Sequence, residues 1–545
     1  MNRFLPVFFA FILFPLNLFS SPYNMILVGD PVLEDIRFLS LESGKAFLSF
    51  TLPLAPYEVE QFLDSLDTSL FSEQAREAYN RIRERLESRA TLTLLSSDNF
   101  SMTLNINATL EARARLNTDI SWYSVYPKVT PFITLPINFF FADSVQLYIE
   151  PSLTMDIEEY FLNDQSLAFN SSLDFSKFDW SQPFRAFAAA GGSWWNFQIG
   201  RDRLSHGTGQ MGNLAISDNP DYYDFMRLSL FSQNIKYSFL VNQMPLNIKP
   251  PLYEIPPENR DDYLLRSMNR YFYLHRLDFK LFDVLSIGIM EGVMVGNSPL
   301  EIRFLNPLMI FHSLYSWNHY DEWFDDKDHR SVIGSIFSLE INWNIIRSLA
   351  FYGQFVLNEF ATPGEISQRT DQPPNALGFL AGIQYSHSFN TWASTSFFEF
   401  TYTYPYLYLN PSPFASFISM RNLSDSHRVH YSFIGYPRDL LVFTLGTNFF
   451  RSDNTLDISG FFSLLLNGER GITYDWERTA EAANRLSPSG TAENKYILTL
   501  SAGWKINNYL RINGSVTGIH SRNNNHISGQ NETGLQTTVS VNFSY

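Results

Sequence analysis

From about residue 100 the chain alternates. Over residues 101–115 one face reads Met102, Leu104, Ile106, Ala108, Leu110, Ala112 and Ala114, and the other reads Thr103, Asn105, Asn107, Thr109, Glu111, Arg113 and Arg115, without exception. A period of two marks a strand with one apolar and one polar face. The same pattern predicts strands at 145–153, 397–404, 456–464, 496–505 and 510–518, the last with Arg511, Asn513, Ser515 and Thr517 on its polar face. Before residue 95 the period is different. Val59, Phe62, Leu63 and Leu66 recur at helical spacing, and Ala75, Ala78, Tyr79, Ile82 and Leu86 line one face of a second helix over 72–88, with Ser72 as N-cap and Glu73 in its first turn. Residues 24–54 read as mixed, with a turn at Gly29-Asp30-Pro31 and a short strand at 46–52. At the N-terminus, Arg3 precedes an apolar run over 4–19, broken by Pro6 and Pro15 and followed by Ser20 and Ser21. That run falls short of the ~20 apolar residues of a spanning helix and reads as a secretory signal peptide cut after Ser20.

Alternating strands suit a soluble β-sandwich as well as a membrane barrel. Three features favour the barrel. Some strands reach ~12 residues against the usual 5 to 6 of globular sheets. The style continues to the C-terminus with no convincing helix, further than one soluble core grows. Aromatics gather at strand ends, as in Tyr402, Tyr404, Tyr406 and Tyr408, where an interfacial girdle would put them. The C-terminus is the sharpest signal: Leu535, Thr537, Val539, Val541, Phe543 and Tyr545 alternate with Gln536, Thr538, Ser540, Asn542 and Ser544, and the chain stops on the aromatic. This resembles the terminal strand by which bacterial outer-membrane barrels are recognised for assembly, so Phe543 and Tyr545 point to the barrel-assembly machinery as a partner. At ~25 residues per strand with its share of loop, residues 96–545 hold about 16 to 18 strands. Long polar breaks at 249–269, 318–330, 359–375, 469–495 and 521–533 predict the extracellular loops.

Composition agrees. Mean hydropathy is −0.13, which argues against a helical membrane protein and is neutral about a barrel. The 50 Phe and 28 Tyr need an apolar boundary. No cysteine is present, so there is no disulfide framework, thiolate metal site or lipidated N-terminal Cys. A net charge of −16 argues against nucleic acid as a partner. The fold expected is therefore an all-β transmembrane barrel: residues 1–20 signal peptide, 21–95 a small periplasmic helical element, 96–545 the barrel in the outer membrane, in contact with its lipid.

The densest motif lies at 198–228. Gly207, Gly209 and Gly212 spell G-x-G-x-x-G, but Pro220, Tyr222 and Tyr223 follow where a nucleotide site would need a helix. A bulge at Gly200 would turn Arg201 and Arg203 inward from a lipid face where arginine costs ~2 to 4 kcal/mol at the midplane, and Asp218, Asn219, Asp224 and Arg227 return polar groups to the same region. Equally, these arginines and aspartates read as pairs that only hold the structure. The segment from Gly200 through Arg201, Arg203, Leu204, the three glycines, Leu214 and Ser217 to Pro220 and Asp224-Phe225-Met226-Arg227-Leu228 resembles the signature of the Wzi-type capsule assembly family. Arg303-Phe304-Leu305-Asn306-Pro307-Leu308 resembles a second signature of it, and Gly29-Asp30-Pro31 with its helical element is similar to the family's periplasmic part. That resemblance implies an outer-membrane barrel that binds and organises surface polysaccharide and is not an enzyme. The family usually has Trp where this chain has His206.

Sugar recognition needs aromatic faces and paired hydrogen-bonding groups. Candidate polysaccharide-binding or lumen-lining residues are Arg201, Arg203, His206, Asn213, Asp218, Asn219, Asp224, Arg227, Arg303, Asn306, Trp317 and Trp323, the last two in the cluster 317–323; Tyr474, Asp475, Trp476, Glu477 and Arg478 form another. Each such cluster also suits a girdle. Asp321, Glu322, Asp325, Asp326 and Asp328 lack the spacing of a calcium loop, and His427 and His430 have no third ligand nearby, so no metal or cofactor is expected. No G-x-S-x-G occurs, and Ser205 and His206 are adjacent, on opposite faces of a strand. The competing function is a general diffusion channel, since barrels of this size can leave an aqueous lumen.

Overall fold

The computed structural model describes residues 23–87, 92–97, 99–120, 128–142, 144–157, 159–160, 166–180, 184–244, 270–296, 300–311, 333–359, 374–410, 414–422, 429–470, 480–483 and 485–545. The expected signal peptide lies outside them.

Among the described residues eighteen strands make one wall. The first runs over 100–115 as Phe100–Leu104 and Asn107–Arg115; the next two, over 133–141 and 145–153, are each likewise in two runs. Then come Ala186–Gly192, Trp195–Asp202, Tyr223–Phe231, Ile235–Gln243, Arg270–Leu281, Leu285–Gly296, Ile333–Ile346, Leu349–Glu359, Ala376–Phe389, Trp392–Thr403, Leu440–Arg451, Leu456–Asn467, Glu493–Lys505, Leu510–Arg522 and Asn531–Ser544. Each pairs antiparallel with its neighbour in the chain, and the last returns to the first through Ser544↔Asn107 to Gln536↔Arg115. The two runs of the first strand keep one register with the second, Phe100↔Phe141 continuing to Asn107↔Thr134. The expected strand count stands at the top of its range.

Parity along the strands settles which face is which. On the last strand Leu535, Val539, Val541 and Phe543 are exposed outward, as are Leu498, Leu500 and Trp504 two strands earlier and Phe398, Leu445 and Phe462 on the three strands before that. An apolar belt of this extent is stable only against an apolar solvent. No described helix is long and apolar enough to cross a membrane. At one end the strands join through tight turns whose central residues take left-handed backbone without glycine: Ala142 (φ 46), Asp283 (φ 60), Ser348 (φ 68), Asn390 (φ 51) and Asn454 (φ 55). Positive φ matches the twist of two-residue hairpins, and Asn and Asp tolerate it best.

The N-terminal element sits on that end. Its helices are α1 (Val32–Ser43), α2 (Pro56–Asp64) and α3 (Glu73–Glu87). Both expected helices are present, and Ser72 caps α3, its Oγ accepting from the Ala75 N–H at 3.1 Å. The mixed reading of 24–54 missed α1. Val32, Leu33, Ile36, Phe38, Leu39 and Leu41 are all buried, because α1 packs on α3 on one side and on the barrel on the other, and so has no clean polar stripe. Ile36, Phe47, Phe62, Ala78 and Ile82 share one core, and Arg81 pairs with Asp35 at 2.6 Å. Burial pushes the Asp35 carboxyl up, against the pull of Arg81. The element is pinned to the tight turns: Gln61 Nε2 donates to Ser193 O at 2.6 Å, Arg81 Nη1 to Ser452 O at 2.6 Å, Arg347 Nε to Glu42 O at 3.0 Å, and the Ala46 N–H to Asp283 O at 2.8 Å.

The lumen is filled. Thr51–Leu52 enters it and pairs with Ser205–His206; His206 in turn bridges to Ile216, and the Ser217 N–H reaches Ile434 O at 2.6 Å. Around this lie Leu204, Leu214, Phe272, Met290, Tyr352, Tyr406, Tyr408, Phe417 and Tyr436, all buried. Tyr406 and Tyr408 are therefore core residues of the lumen, a correction to their reading as girdle aromatics: Pro405 ends the wall strand and the chain turns inward.

Candidate functional site

The glycine- and arginine-rich segment is the chain between the strands Trp195–Asp202 and Tyr223–Phe231, and it folds into the barrel from the end opposite the helices. Gly200 makes no bulge: register runs unbroken, Phe187↔Gly200 on one side and Gly200↔Phe225 on the other. Its φ of 134° and a hypothetical Cβ only 2.4 Å from Ala186 O explain the glycine. Arg201 thus stays on the outward parity of Ile199, at the strand end, where Asp224 across the ladder takes two bonds at 2.8 and 3.1 Å and the Tyr222 ring lies 4.1 Å from its guanidinium. The expected inward turn is corrected on this point.

Beyond Arg203 the segment is clamped by side chains from the wall. Glu399 accepts from the backbone N–H groups of Gln210 at 2.7 Å and Met211 at 3.1 Å and from the Tyr352 hydroxyl at 3.0 Å. Charge-assisted bonds of this kind contribute roughly 1.5–3 kcal/mol each. Asn213 Oδ1 accepts from the Gly209 N–H at 3.0 Å and Gln354 Nε2 at 2.6 Å, while Gln354 Oε1 takes the Leu214 N–H at 2.8 Å. Gly207 (φ 133°) lies so close that a Cβ there would stand 2.0 Å from Gln354 Nε2. From the helical side Arg37 Nη1 donates to Thr208 O at 3.0 Å. This is irregular chain held rigid.

Burial divides the expected site residues. His206 is 1% exposed, and neither ring nitrogen has a partner among the described residues; burial, with Arg276, Arg227 and Lys236 facing the same space, pushes its pKa well below the ordinary histidine range. Asn213 and Asn219 are buried too, the latter donating to Gly435 O. Arg227, 1% exposed, donates to Thr51 O at 3.4 Å and Asn196 Oδ1 at 3.3 Å. These four line the filled lumen. Arg203 and Asp218 pair at the rim, and Lys128 Nζ joins them 3.2 Å from Asp218 Oδ2. Burial, together with the Arg203 charge, brings the Lys128 pKa down to about 8. Burial opposes ionisation of Asp218, but the two cations outweigh it and hold its carboxyl below the usual range. Arg201, Arg203, Asp218 and Asp224 keep side chains 29–39% exposed.

Arg303 and Asn306 are elsewhere, on the outer side of the wall. Arg303 Nε donates to Glu301, and Asn306 Oδ1 accepts from the Leu308 N–H at 3.1 Å. Trp317, Trp323, the cluster at 474–478 and His427 lie outside the described residues. Around this segment the structure places Glu399, Tyr352, Gln354 and Lys128, which pattern reading did not single out. Glu399 had a signal: a lone carboxylate between Phe398 and Phe400, on the opposite parity to both. A polar cleft of about 410 Å³ also separates residues 24–31 from the wall at Asn105, Asn138, Gln146 and Tyr148; Gln146 Oε1 spans it to the Met25 N–H at 3.0 Å.

Among solved structures, Wzi of Escherichia coli, an outer-membrane protein involved in group 1 capsule assembly and described as a carbohydrate-binding β-barrel, is similar over 95% of this chain and 99% of its own, with a TM-score of 0.53 at 12% identity. OccD3 (OpdP) of Pseudomonas aeruginosa matches over 83% of this chain and 93% of its own, at a TM-score of 0.41 and 9% identity. The channel DcaP of Acinetobacter baumannii matches over 83% and 100%, at 0.35 and 8%. No curated protein matches the sequence. The barrel is that of a bacterial outer-membrane protein. The family model for capsule assembly protein Wzi spans residues 133–534, taking in both signature segments and most of the wall, and the chain belongs to that family.

Proposed function

We propose that this protein binds and organises surface polysaccharide at the outer membrane without altering it chemically, and that the glycan contacts the rim formed by Lys128, Arg201, Arg203, Asp218, Tyr222 and Asp224. The observation that carries this reading is the division within one segment: its centre is buried in a filled lumen, and its ends present half-exposed ion pairs and an aromatic face to solvent. Arg–Asp pairs offer the coupled donors and acceptors that match neighbouring sugar hydroxyls, and Tyr222 offers a ring to stack on CH groups. The carbohydrate-binding description of the E. coli barrel supports the ligand class. In this reading the helical element, residues 21–95 of the mature chain, faces the periplasm after loss of residues 1–20, and the strand ending in Phe543 and Tyr545 is read by the assembly machinery.

Retention of the purified protein on immobilised surface polysaccharide of its own host tests the proposal, with no retention as the contrary result. The channel reading meets the core of buried side chains inside the barrel. Planar-bilayer recording is expected to give no steady current; a steady open-channel current would restore that reading.

A further inference from the structure

The wall strands Ile235–Gln243, Arg270–Leu281 and Leu285–Gly296 carry four polar side chains on the wrong face. Parity there is fixed: Lys236, Arg276 and Asp278 are buried inside, Arg276 pairing with Asp278 and Glu340 at 2.7 Å each, while Ile235, Leu277, Leu281 and Ile289 are exposed outward. By the same count Tyr237, Tyr273, His275 and Glu291 point outward, and His275 and Glu291 stand directly opposite each other across the ladder, near mid-strand. Ionisable groups facing lipid are rare and call for a partner.

Their partner is residues 300–311. The Glu301 N–H donates to the Tyr273 hydroxyl at 3.2 Å, the Tyr237 hydroxyl donates to Pro307 O at 2.6 Å and lies 2.6 Å from His275 Nδ1, and the Phe311 N–H donates to Glu291 Oε2 at 3.0 Å. Phe304 stacks on Tyr273 at 5.0 Å between ring centroids, and Phe311 covers His275 at 4.0 Å. A short turn of 3-10 helix, Ile302–Leu305, and the Asn306 cap satisfy further backbone groups internally, and Pro307 has no N–H to satisfy. Facing away from the wall, Ile302, Leu308 and Ile310 are 83%, 89% and 67% exposed.

Irregular chain is tolerated at membrane depth only where its backbone groups are satisfied by protein. We infer that residues 300–311 form a strap lying in the hydrocarbon layer against the outside of the barrel, latched by Glu291, with Ile302, Leu308 and Ile310 in contact with lipid acyl chains. The outward Tyr237, Tyr273, His275 and Glu291 are there to receive it. Arg303-Phe304-Leu305-Asn306-Pro307-Leu308 is then a membrane-contact motif, and this holds whether or not the barrel binds glycan.

The chain has no cysteine, so single-cysteine bimane labels report unambiguously in phosphatidylcholine vesicles. Leu308→Cys is compared with Ile289→Cys on the bare wall and Ile527→Cys in an outer turn. The label at 308 is expected to be quenched by brominated acyl chains as at 289 and to be at least about fivefold less accessible to iodide than at 527; iodide access equal to that at 527 overturns the strap. Adding Glu291→Ala to Leu308→Cys is expected to release the label to iodide, while Glu291→Gln, which keeps an acceptor, leaves it in lipid. A label unmoved by Glu291→Ala in a barrel that retains heat-modifiable mobility overturns the latch.

Discussion

Two stretches of irregular chain lie against the same wall, one on each side, and both coincide with the family's sequence signatures. Inside, the chain between Arg203 and Tyr223 is held by a buried carboxylate and two buried amides, Glu399, Gln354 and Asn213, and by the half-buried Arg37. Outside, among the described residues, 300–311 are held by the hydroxyls of Tyr237 and Tyr273 and the carboxylate of Glu291, with rings laid over them. The centre of the inner segment, around Gly207 and Asn213, is enclosed and leaves no room for a side chain at Gly207; the outer one has a free face. The rule common to both is that backbone leaving a sheet must still find partners. The difference lies in what surrounds the partners, protein in one case and an apolar solvent in the other.

Gly207→Val should be the most damaging change, about 3 kcal/mol or more, because both its φ and the space beside Gln354 exclude a side chain; Leu308→Val outside should stay within about 0.5 kcal/mol. Denaturant midpoints in detergent measure both, and equal losses would erase the distinction. Glu399→Ala leaves two backbone N–H groups and the Tyr352 hydroxyl without their acceptor and should cost about 2–4 kcal/mol, against about 1–2 kcal/mol for Glu291→Ala, which removes the acceptor of the Phe311 N–H. At the rim, Lys128→Ala with Arg203→Ala should weaken glycan retention about tenfold while moving stability by less than about 1 kcal/mol, the scale of partly exposed ion pairs.

The smallest effect is a pH dependence. Lys128 is lowered from the ordinary lysine value to about 8, so its charge is present at pH 7 and lost as pH rises through about 8. Glycan retention should fall over that step. Stability should move the other way, rising slightly between pH 8 and 10.5, because there the unfolded lysine binds the proton more tightly than the folded one. Retention that is flat from pH 7 to 9.5 would remove Lys128 from the contact.

Much of the wall was legible because lipid outside and polar chain inside impose a strict period of two, as over 101–115 and 535–545. Helices α2 and α3 were legible because each has a solvent side. What failed had two covered sides or an inverted one. Helix α1 spreads its six apolar residues round the axis with polar ones between them, so it shows no single stripe. Tyr406 and Tyr408 continue the alternation past Pro405 but point into a core. Tyr237, Tyr273, His275 and Glu291 carry polar atoms on the lipid parity because a distant segment covers them, and no local pattern encodes that cover. At the glycine-rich segment, composition located the unusual chain but did not separate the buried His206, Asn213 and Arg227 from the exposed Arg203 and Asp218, since that depends on which part dives inward.

The rim, and not a pore, is then the working surface. This is tested most directly by retention of the purified barrel on its host's immobilised surface polysaccharide, wild type beside Lys128→Ala with Arg203→Ala. The first should be retained, and the second should be retained about tenfold more weakly at unchanged stability. Equal retention of the two, or none by either, would contradict it.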